Sequence, residues 1–151
     1  MSTRAIIKAT DERESWSLYC HGDGYPSYLG ERVLKFAEMA PSIDPNNHEH
    51  YKYPDPNEVV YDPYRSVPNL SSDADKFIAA LAGCLWQQGY TSAYMTKRDA
   101  RKEVAGGFTD IDYLYEVTFK DNKPTVSVYE NDGSAFILLS DEQLQEKLEE
   151  I

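Results

Sequence analysis

The chain has 151 residues, with 15 Lys and Arg against 26 Asp and Glu, so its formal net charge is −11. Aromatic residues make up 13% of the sequence, more than is typical of an intrinsically disordered protein. A chain this acidic is poorly suited to binding DNA or an anionic membrane, because such binding depends on Lys and Arg. The length predicts a single domain over residues 1–151.

The sequence contains no signal for membrane insertion or export. No stretch reaches the roughly 18 apolar residues that a membrane-spanning helix requires, and the first residues lack the basic and then apolar layout of a signal peptide. Cys20 and Cys84 form no disulfide framework. We therefore expect reduced thiols, no membrane contact and a cytoplasmic location.

The first forty residues predict a hairpin followed by a helix. Residues 3–9 and 15–20 have the composition of strands, and alternation in the second predicts one buried face. A glycine-rich turn follows, and Pro26 is suited to the start of a helix over residues 27–39. An apolar stripe runs along that helix through Leu29, Val33, Phe36, Ala37 and Ala40.

Residues 41–70 differ in composition from the rest of the chain. They contain six of its eight prolines and four of its tyrosines. Proline at this density excludes a regular helix or a central strand. The tyrosines need a surface to lie on, so the segment predicts an ordered loop insertion that packs on the domain or contacts a partner.

The second half predicts two helices and four strands. The helix over 72–88 has a complete apolar stripe, and Ser71 or Ser72 is expected to cap it. Ser140 and Gln143 form a capping-box pattern at the start of the last helix. The strands are predicted at residues 91–96, 111–119, 124–130 and 135–139. The last strand is wholly apolar, which favours a central position covered on both faces.

The order of these elements predicts an α+β fold. Short turns such as Asn131-Asp132-Gly133 separate successive strands, and short turns join antiparallel strands. We therefore expect a mainly antiparallel sheet of about five or six strands, with two to three helices packed on one face, plus the long loop.

Two stretches resemble a group of small proteins from phages, prophages and other mobile elements. Residues 19–26, Tyr-Cys-His-Gly-Asp-Gly-Tyr-Pro, match the Tyr-x-His-x-Asp-Gly-Tyr-Pro signature of that group, and residues 110–117 resemble a second stretch. Most members of the group are uncharacterised, so the resemblance implies a phage-like origin. Small acidic phage proteins often antagonise host defence, as anti-CRISPR proteins do, and by analogy the resemblance implies such an activity here.

The turn containing His21 and Asp23 is a candidate metal or acid–base site. The flanking glycines allow the backbone to bring both side chains to one point, and His48 and His50 could supply further ligands. The alternative is a structural turn in which Asp23 accepts backbone hydrogen bonds. The spacing matches neither zinc nor non-haem iron, so we expect no catalytic residue, metal or cofactor.

Acidic side chains combined with tyrosines favour a partner-binding surface. Asp and Glu can imitate a row of phosphates and occupy the basic groove of a nucleic-acid-binding protein, while Tyr supplies rigid contact area. The alternative is acidity for solubility alone. The candidate partner-binding residues are Asp44, Tyr51, Tyr53, Asp55, Glu58, Tyr61, Asp62, Tyr64, Glu142, Glu146, Glu149 and Glu150.

The sequence thus predicts a non-enzymatic inhibitor that blocks a host nucleic-acid-processing complex with a basic groove. It is expected to bind no nucleic acid directly and to be a monomer or a small homo-oligomer in the host cytosol. The alternatives are a small metal-dependent enzyme or binding protein that uses the His21 turn, and a phage accessory or structural protein. The basic segment Lys97–Lys102 is expected to be a solvated surface loop.

Overall fold

The computed structural model describes residues 2–43 and 69–150. A π-helical turn, Pro26–Gly30, leads into the first helix. The strands of the described residues are β1 (Ala5–Thr10), β2 (Ser15–Cys20), β3 (Ala93–Thr96), β4 (Tyr113–Lys120), β5 (Lys123–Asn131) and β6 (Phe136–Leu138). The α-helices are α1 (Glu31–Ile43), α2 (Ala74–Gln87), α3 (Ala100–Ala105) and α4 (Asp141–Leu148).

The strands form one sheet in the order β3-β2-β1-β4-β5-β6. β1 and β4 run parallel at its centre, with Ala5 opposite Tyr113, and the other neighbours are antiparallel. The predicted α+β fold with a mainly antiparallel sheet of five or six strands is confirmed. β1 and β4 can pair in parallel because a long stretch of chain connects them. A tight turn would have required antiparallel pairing.

Helices pack on both faces of the sheet, whereas the sequence predicts one face. α1 and α2 cover the face on which Leu18 and Tyr115 are buried. α3 lies on the other face, where Ala100 packs with Ile6 and Leu114. The prediction is wrong on this point because α3 has six residues and its apolar pattern is too short to identify it as a helix.

β6 lies at an edge of the sheet, so the prediction of a central strand is wrong. It has three residues and pairs with β5 alone. Phe136 is buried, but Ile137 and Leu138 are 49% and 54% exposed. An apolar run of this length predicts burial, yet it does not determine how many neighbours a strand has.

A residue from a distant turn satisfies the N-terminus of α2. The residue before the helix, Asp73, makes no side-chain capping bond, and the predicted caps Ser71 and Ser72 precede it. Instead, Oδ2 of Asp11 in the β1–β2 turn accepts a 2.9 Å hydrogen bond from the N–H of Ala74. The first N–H groups of a helix have no partner within it, and this contact supplies an acceptor where no local side chain does.

The described ends of the predicted 41–70 loop are a helical turn at residues 41–43 and a turn at residues 69–70. α1 continues through Pro41 to Ile43, so the predicted loop does not begin at residue 41. Leu70 is fully buried in the core just before α2. Residues 44–68 of the predicted insertion lie outside the described residues.

Candidate functional site

The turn over residues 21–26 is tied to the core through its backbone. The hydroxyl of Tyr115 donates a buried 2.7 Å hydrogen bond to the carbonyl of Gly24. The N–H of Gly24 donates to the carbonyl of Thr3 at 2.9 Å. A Cβ added at Gly24 would lie 2.8 Å from the Cβ of Ala5, so a side chain there would force the turn away from the sheet. These contacts support the structural interpretation of the turn.

His21 and Asp23 are both exposed on this turn. Nδ1 of His21 lies 2.9 Å from the hydroxyl of Tyr19, and Asp23 has a left-handed φ of +53°. Burial raises the pKa of the neighbouring Cys20 to about 12, so this thiol stays protonated and is a poor ligand or nucleophile. Residues 2–43 and 69–150 contain no group of three or more His, Cys, Asp or Glu side chains that could hold a metal ion.

The acidic candidates that the structure describes lie on and just after α4. Oγ of Ser140 accepts a hydrogen bond from the N–H of Gln143 at 3.2 Å, and Oε1 of Gln143 accepts one from the N–H of Ser140 at 2.9 Å. The predicted capping box is therefore confirmed. Leu144 packs against the core beneath the helix. These contacts determine which side of α4 faces outward.

The outward side of α4 carries a row of carboxylates. Glu142, Glu146, Glu149 and Glu150 are all exposed. Glu142 and Glu146 lie within α4 on the side opposite Leu144, Glu149 is the C-cap of the helix and Glu150 follows it. We name these four exposed glutamates, on α4 and at its C-terminal end, the α4 acidic face.

Lys147 does little to neutralise this surface. It is the single Lys or Arg of α4, and its Nζ lies 3.4 Å from a carboxylate oxygen of Glu130 on β5 but 4.0 Å from Glu150. Burial lowers the pKa of Lys147, but Tyr113 and Glu130 together raise it by a larger amount. The net shift of the pKa is upward, so the amine is charged. Its charge is directed mainly toward the sheet.

A second acidic surface lies at the opposite end of the sheet. A cleft of about 650 Å³ opens between the β1–β2 turn, the β4–β5 turn and the start of α2. Its carboxylates are Asp11, Glu12, Asp73 and Asp121. The α4 acidic face lies near the start of β4 and the cleft at its end, about 20 Å along the strand. The α4 acidic face and this cleft are therefore two separate surfaces.

Asp11 in this cleft stabilises the fold. Its carboxylate accepts hydrogen bonds from the backbone N–H groups of Ala74, Arg13 and Glu14 at 2.8–2.9 Å. The first two of these bonds outweigh the effect of burial, and the pKa of Asp11 is lowered. The sequence predicts only a polar turn at this position, because the contact to α2 spans 63 residues.

We expect Asp11→Ala to lower the free energy of unfolding by about 0.5–2 kcal/mol at neutral pH, as the loss of a helix cap does. Since the folded pKa is lowered, the stabilisation by Asp11 is complete above the unfolded pKa of about 3.9 and is lost as the pH falls through the folded value. Urea unfolding of both proteins at neutral pH and at about pH 2 measures this, and the gap should narrow in acid.

Glu12→Ala on the same turn is the matched control for Asp11→Ala. Glu12 is exposed, so its removal is expected to change stability by less than about 0.5 kcal/mol. Equal losses from the two variants would show that the carboxylate of Asp11 does not act as the cap of α2.

The basic segment Lys97–Lys102 is partly helical, in contrast to the predicted solvated loop. Asp99 caps α3 by accepting from the N–H of Lys102. The guanidinium of Arg98 binds Glu103 at 2.5 Å and Asp110 at 2.6 Å. These bonds, together with the nearby charges, outweigh burial and raise the pKa of Arg98. Part of the basic charge therefore holds α3 in place.

The other candidate residues lie outside the part of the chain that the structure describes. They therefore remain predictions, both as partner-binding residues and as metal ligands. These residues are Asp44, His48, His50, Tyr51, Tyr53, Asp55, Glu58, Tyr61, Asp62 and Tyr64.

Comparison with known proteins identifies no relative. No protein-family model, curated protein or solved structure matches the chain. None of the helices in residues 2–43 and 69–150 has the length and apolarity needed to cross a bilayer. The functional argument therefore depends on the surfaces described above.

Proposed function

We propose that the protein is a non-enzymatic inhibitor that binds a basic, nucleic-acid-binding surface of a host protein through the α4 acidic face. The observation that carries the proposal is the group of four exposed glutamates on α4 and at its C-terminal end. The partner class is a host defence complex that processes nucleic acid, as for an anti-CRISPR protein. The resemblance of residues 19–26 to phage proteins agrees with this partner class.

The helix dipole favours Glu142 in the first turn of α4, but the glutamates that follow oppose the stability of the helix. Glu142 and Glu146 are four residues apart within α4, and like charges at this spacing destabilise a helix by about 0.2–0.5 kcal/mol per pair. Glu149 and Glu150 lie at the C-terminal end, where the helix dipole favours cations. A charge pattern that disfavours its own helix supports a role in binding.

A row of carboxylates suits a partner whose own ligand is a polyanion. The basic groove of a nucleic-acid-binding protein attracts an acidic surface over long range and accelerates the encounter. Such an attraction weakens as ionic strength rises, because dissolved salt largely screens exposed charges that are more than about 10 Å apart. The proposal therefore predicts binding that depends steeply on salt.

The test is capture from host extract with two matched double variants. E142K/E146K reverses two charges on the α4 acidic face, and E12K/E38K reverses two exposed charges on other elements. The wild type and E12K/E38K are expected to retain the same nucleic-acid-binding proteins and to release them at high salt. E142K/E146K is expected to bind at least about tenfold more weakly.

Retention of the same proteins by E142K/E146K with unchanged salt dependence would overturn the proposal. Circular dichroism and thermal unfolding show whether that variant is folded. Its melting temperature is expected to be equal to or slightly below that of the wild type, because two lysines at this spacing repel each other as the two glutamates do, and a cation in the first turn of α4 opposes the helix dipole. A loss of binding with a retained fold identifies the α4 acidic face as the contact.

A further inference from the structure

The two edges of the sheet differ in how they are protected. β3 forms one edge and β6 forms the other. At the β3 edge, Nε1 of Trp86 donates a 2.7 Å hydrogen bond to the carbonyl of Ala93. Lys97 directly follows β3, and a lysine at a sheet edge discourages pairing with a further strand. The β3 edge is therefore partly covered and charged.

The β6 edge has neither kind of protection. Residues 135–139, Ala-Phe-Ile-Leu-Leu, contain no charged residue and no proline. Among the described residues, no strand pairs with the outer side of β6. Ile137 and Leu138 are each about half exposed, on opposite faces of the sheet. An apolar, unprotected edge is suited to receiving a further strand.

The backbone of β6 presents free hydrogen-bonding groups along this edge. The N–H of Leu139 donates to the carbonyl of Val128 on β5. Alternate residues of an antiparallel strand bond to the same neighbour, so Ile137 also bonds to β5. The N–H and C=O groups of Phe136 and Leu138 therefore point outward, where one extended segment could bond to all of them.

The α4 acidic face lies at the same edge of the molecule. α4 begins directly after β6, and Nζ of Lys147 near its end lies 3.4 Å from Glu130, which is paired with Ile137. The helix therefore runs back beside the edge strand. A segment added to β6 would lie near four exposed carboxylates, which favours a segment with positive charge.

The same charges disfavour a second copy of this chain as the occupant. Pairing of β6 with β6 of another copy would bring two α4 acidic faces together, in molecules that each have a net charge of −11. Like charges at such an interface repel each other. The charge of this edge therefore selects a basic partner.

We propose that β6 receives an extended segment of the partner protein, rich in Lys or Arg, as an additional strand of the sheet. This inference rests on the proposed function and specifies the form of the partner's contact. Main-chain hydrogen bonds to Phe136 and Leu138 align the segment, and its basic side chains on the α4 side of the sheet contact the glutamates. Because β6 is short, both contributions are needed for binding.

Fluorescence anisotropy of a labelled peptide with the intact protein tests the proposal. The probe is a blocked peptide of alternating Lys and Val, about eight residues long, so that its lysines share one face of the added strand. We expect saturable binding that is at least about tenfold weaker in E142K/E146K. The same peptide with N-methylated backbone amides retains the charge but cannot pair as a strand, and should also bind at least about tenfold more weakly.

Leu138→Pro tests the edge of the protein itself. Proline removes the outward N–H of residue 138 and leaves the hydrogen bonds to β5, so peptide binding should weaken at least about tenfold. The matched control is Met95→Pro, which removes an N–H from the outer side of β3 and should bind the peptide as the wild type does. In the wild type, the peptide should slow hydrogen exchange at the amides of Phe136 and Leu138.

Equal binding of the two peptides, or unchanged binding in a folded Leu138→Pro variant, would overturn strand addition. Neither result would contradict the proposed function, which is tested separately by capture of host proteins with E142K/E146K. Unchanged peptide binding in E142K/E146K would exclude the glutamates from this contact, and the absence of saturable binding would overturn the inference as a whole. A dimer in analytical ultracentrifugation that is lost in Leu138→Pro would instead identify a second copy as the occupant. Circular dichroism shows whether each variant is folded.

Discussion

Replacement of Tyr115 by alanine is expected to lower the free energy of unfolding by about 3–5 kcal/mol, the range for removal of a large aromatic core residue. Tyr115 is fully buried at the centre of the sheet. Its ring lies close to Gly30, where an added Cβ would meet it at 3.1 Å, so the side chain links the π-helical turn to the core. The loss combines a cavity with an unsatisfied carbonyl at Gly24.

The variant Tyr115→Phe separates these two contributions. It retains the ring and removes the hydroxyl, which donates to Gly24, so we expect a loss of about 1–3 kcal/mol. Burial raises the pKa of Tyr115 well above its ordinary value, so this hydroxyl remains a donor over the whole neutral range. Urea unfolding monitored by circular dichroism measures both variants.

Tyr94→Phe is the control for the hydroxyl of Tyr115. Tyr94 is 50% exposed on β3, and its variant should differ from the wild type by less than about 0.5 kcal/mol. If Tyr115→Phe were no less stable than Tyr94→Phe, the hydrogen bond to Gly24 would contribute nothing, and the structural role of the turn over residues 21–26 would be in doubt.

Phe77→Ala is expected to cost a further large amount, about 3–5 kcal/mol. Phe77 on α2 is fully buried and lies between two other rings. Its ring centroid is 5.0 Å from that of Phe36 on α1 and 5.6 Å from that of Phe119 on β4, both in edge-to-face geometry. The substitution therefore removes the contact that joins two helices to the sheet.

Phe108→Ala measures the background effect of removing a phenyl ring. Phe108 is 78% exposed, so its removal is expected to leave stability within about 0.5 kcal/mol. Thermal unfolding of the two variants under identical conditions gives the comparison. A Phe77 variant as stable as the Phe108 variant would contradict the assignment of this aromatic cluster as a main contact between α1, α2 and β4.

Local patterns predict most of the fold but not its edges. Alternation along β2 and β4 and the apolar stripe of α2 predict these elements, and the structure confirms them within a few residues. The single buried face predicted for β2 is wrong, because Ser17 and Tyr19 are buried on its second face. β6 is wrongly predicted as central, because apolar residues at a strand edge and at a strand centre have the same composition. The number of neighbours depends on which strands meet.

The two acidic surfaces differ in whether local sequence patterns can predict them. The spacing of Glu142 and Glu146 by itself places them on one side of a helix, because the helical period is a local property. The acidic cleft could not be predicted. Asp11 and Asp73 are far apart in sequence and meet only because the β1–β2 turn packs on the start of α2.

The amino-acid sequence by itself determined the positions of most helices and strands, the capping box of α4 and the α4 acidic face. Each of these depends on residues within a few positions of one another, where backbone geometry relates spacing directly to direction. Only the tertiary structure decided the parallel pairing of β1 with β4 and the capping of α2 by Asp11. These features join segments tens of residues apart, and their energies depend on packing between segments, which no local pattern specifies.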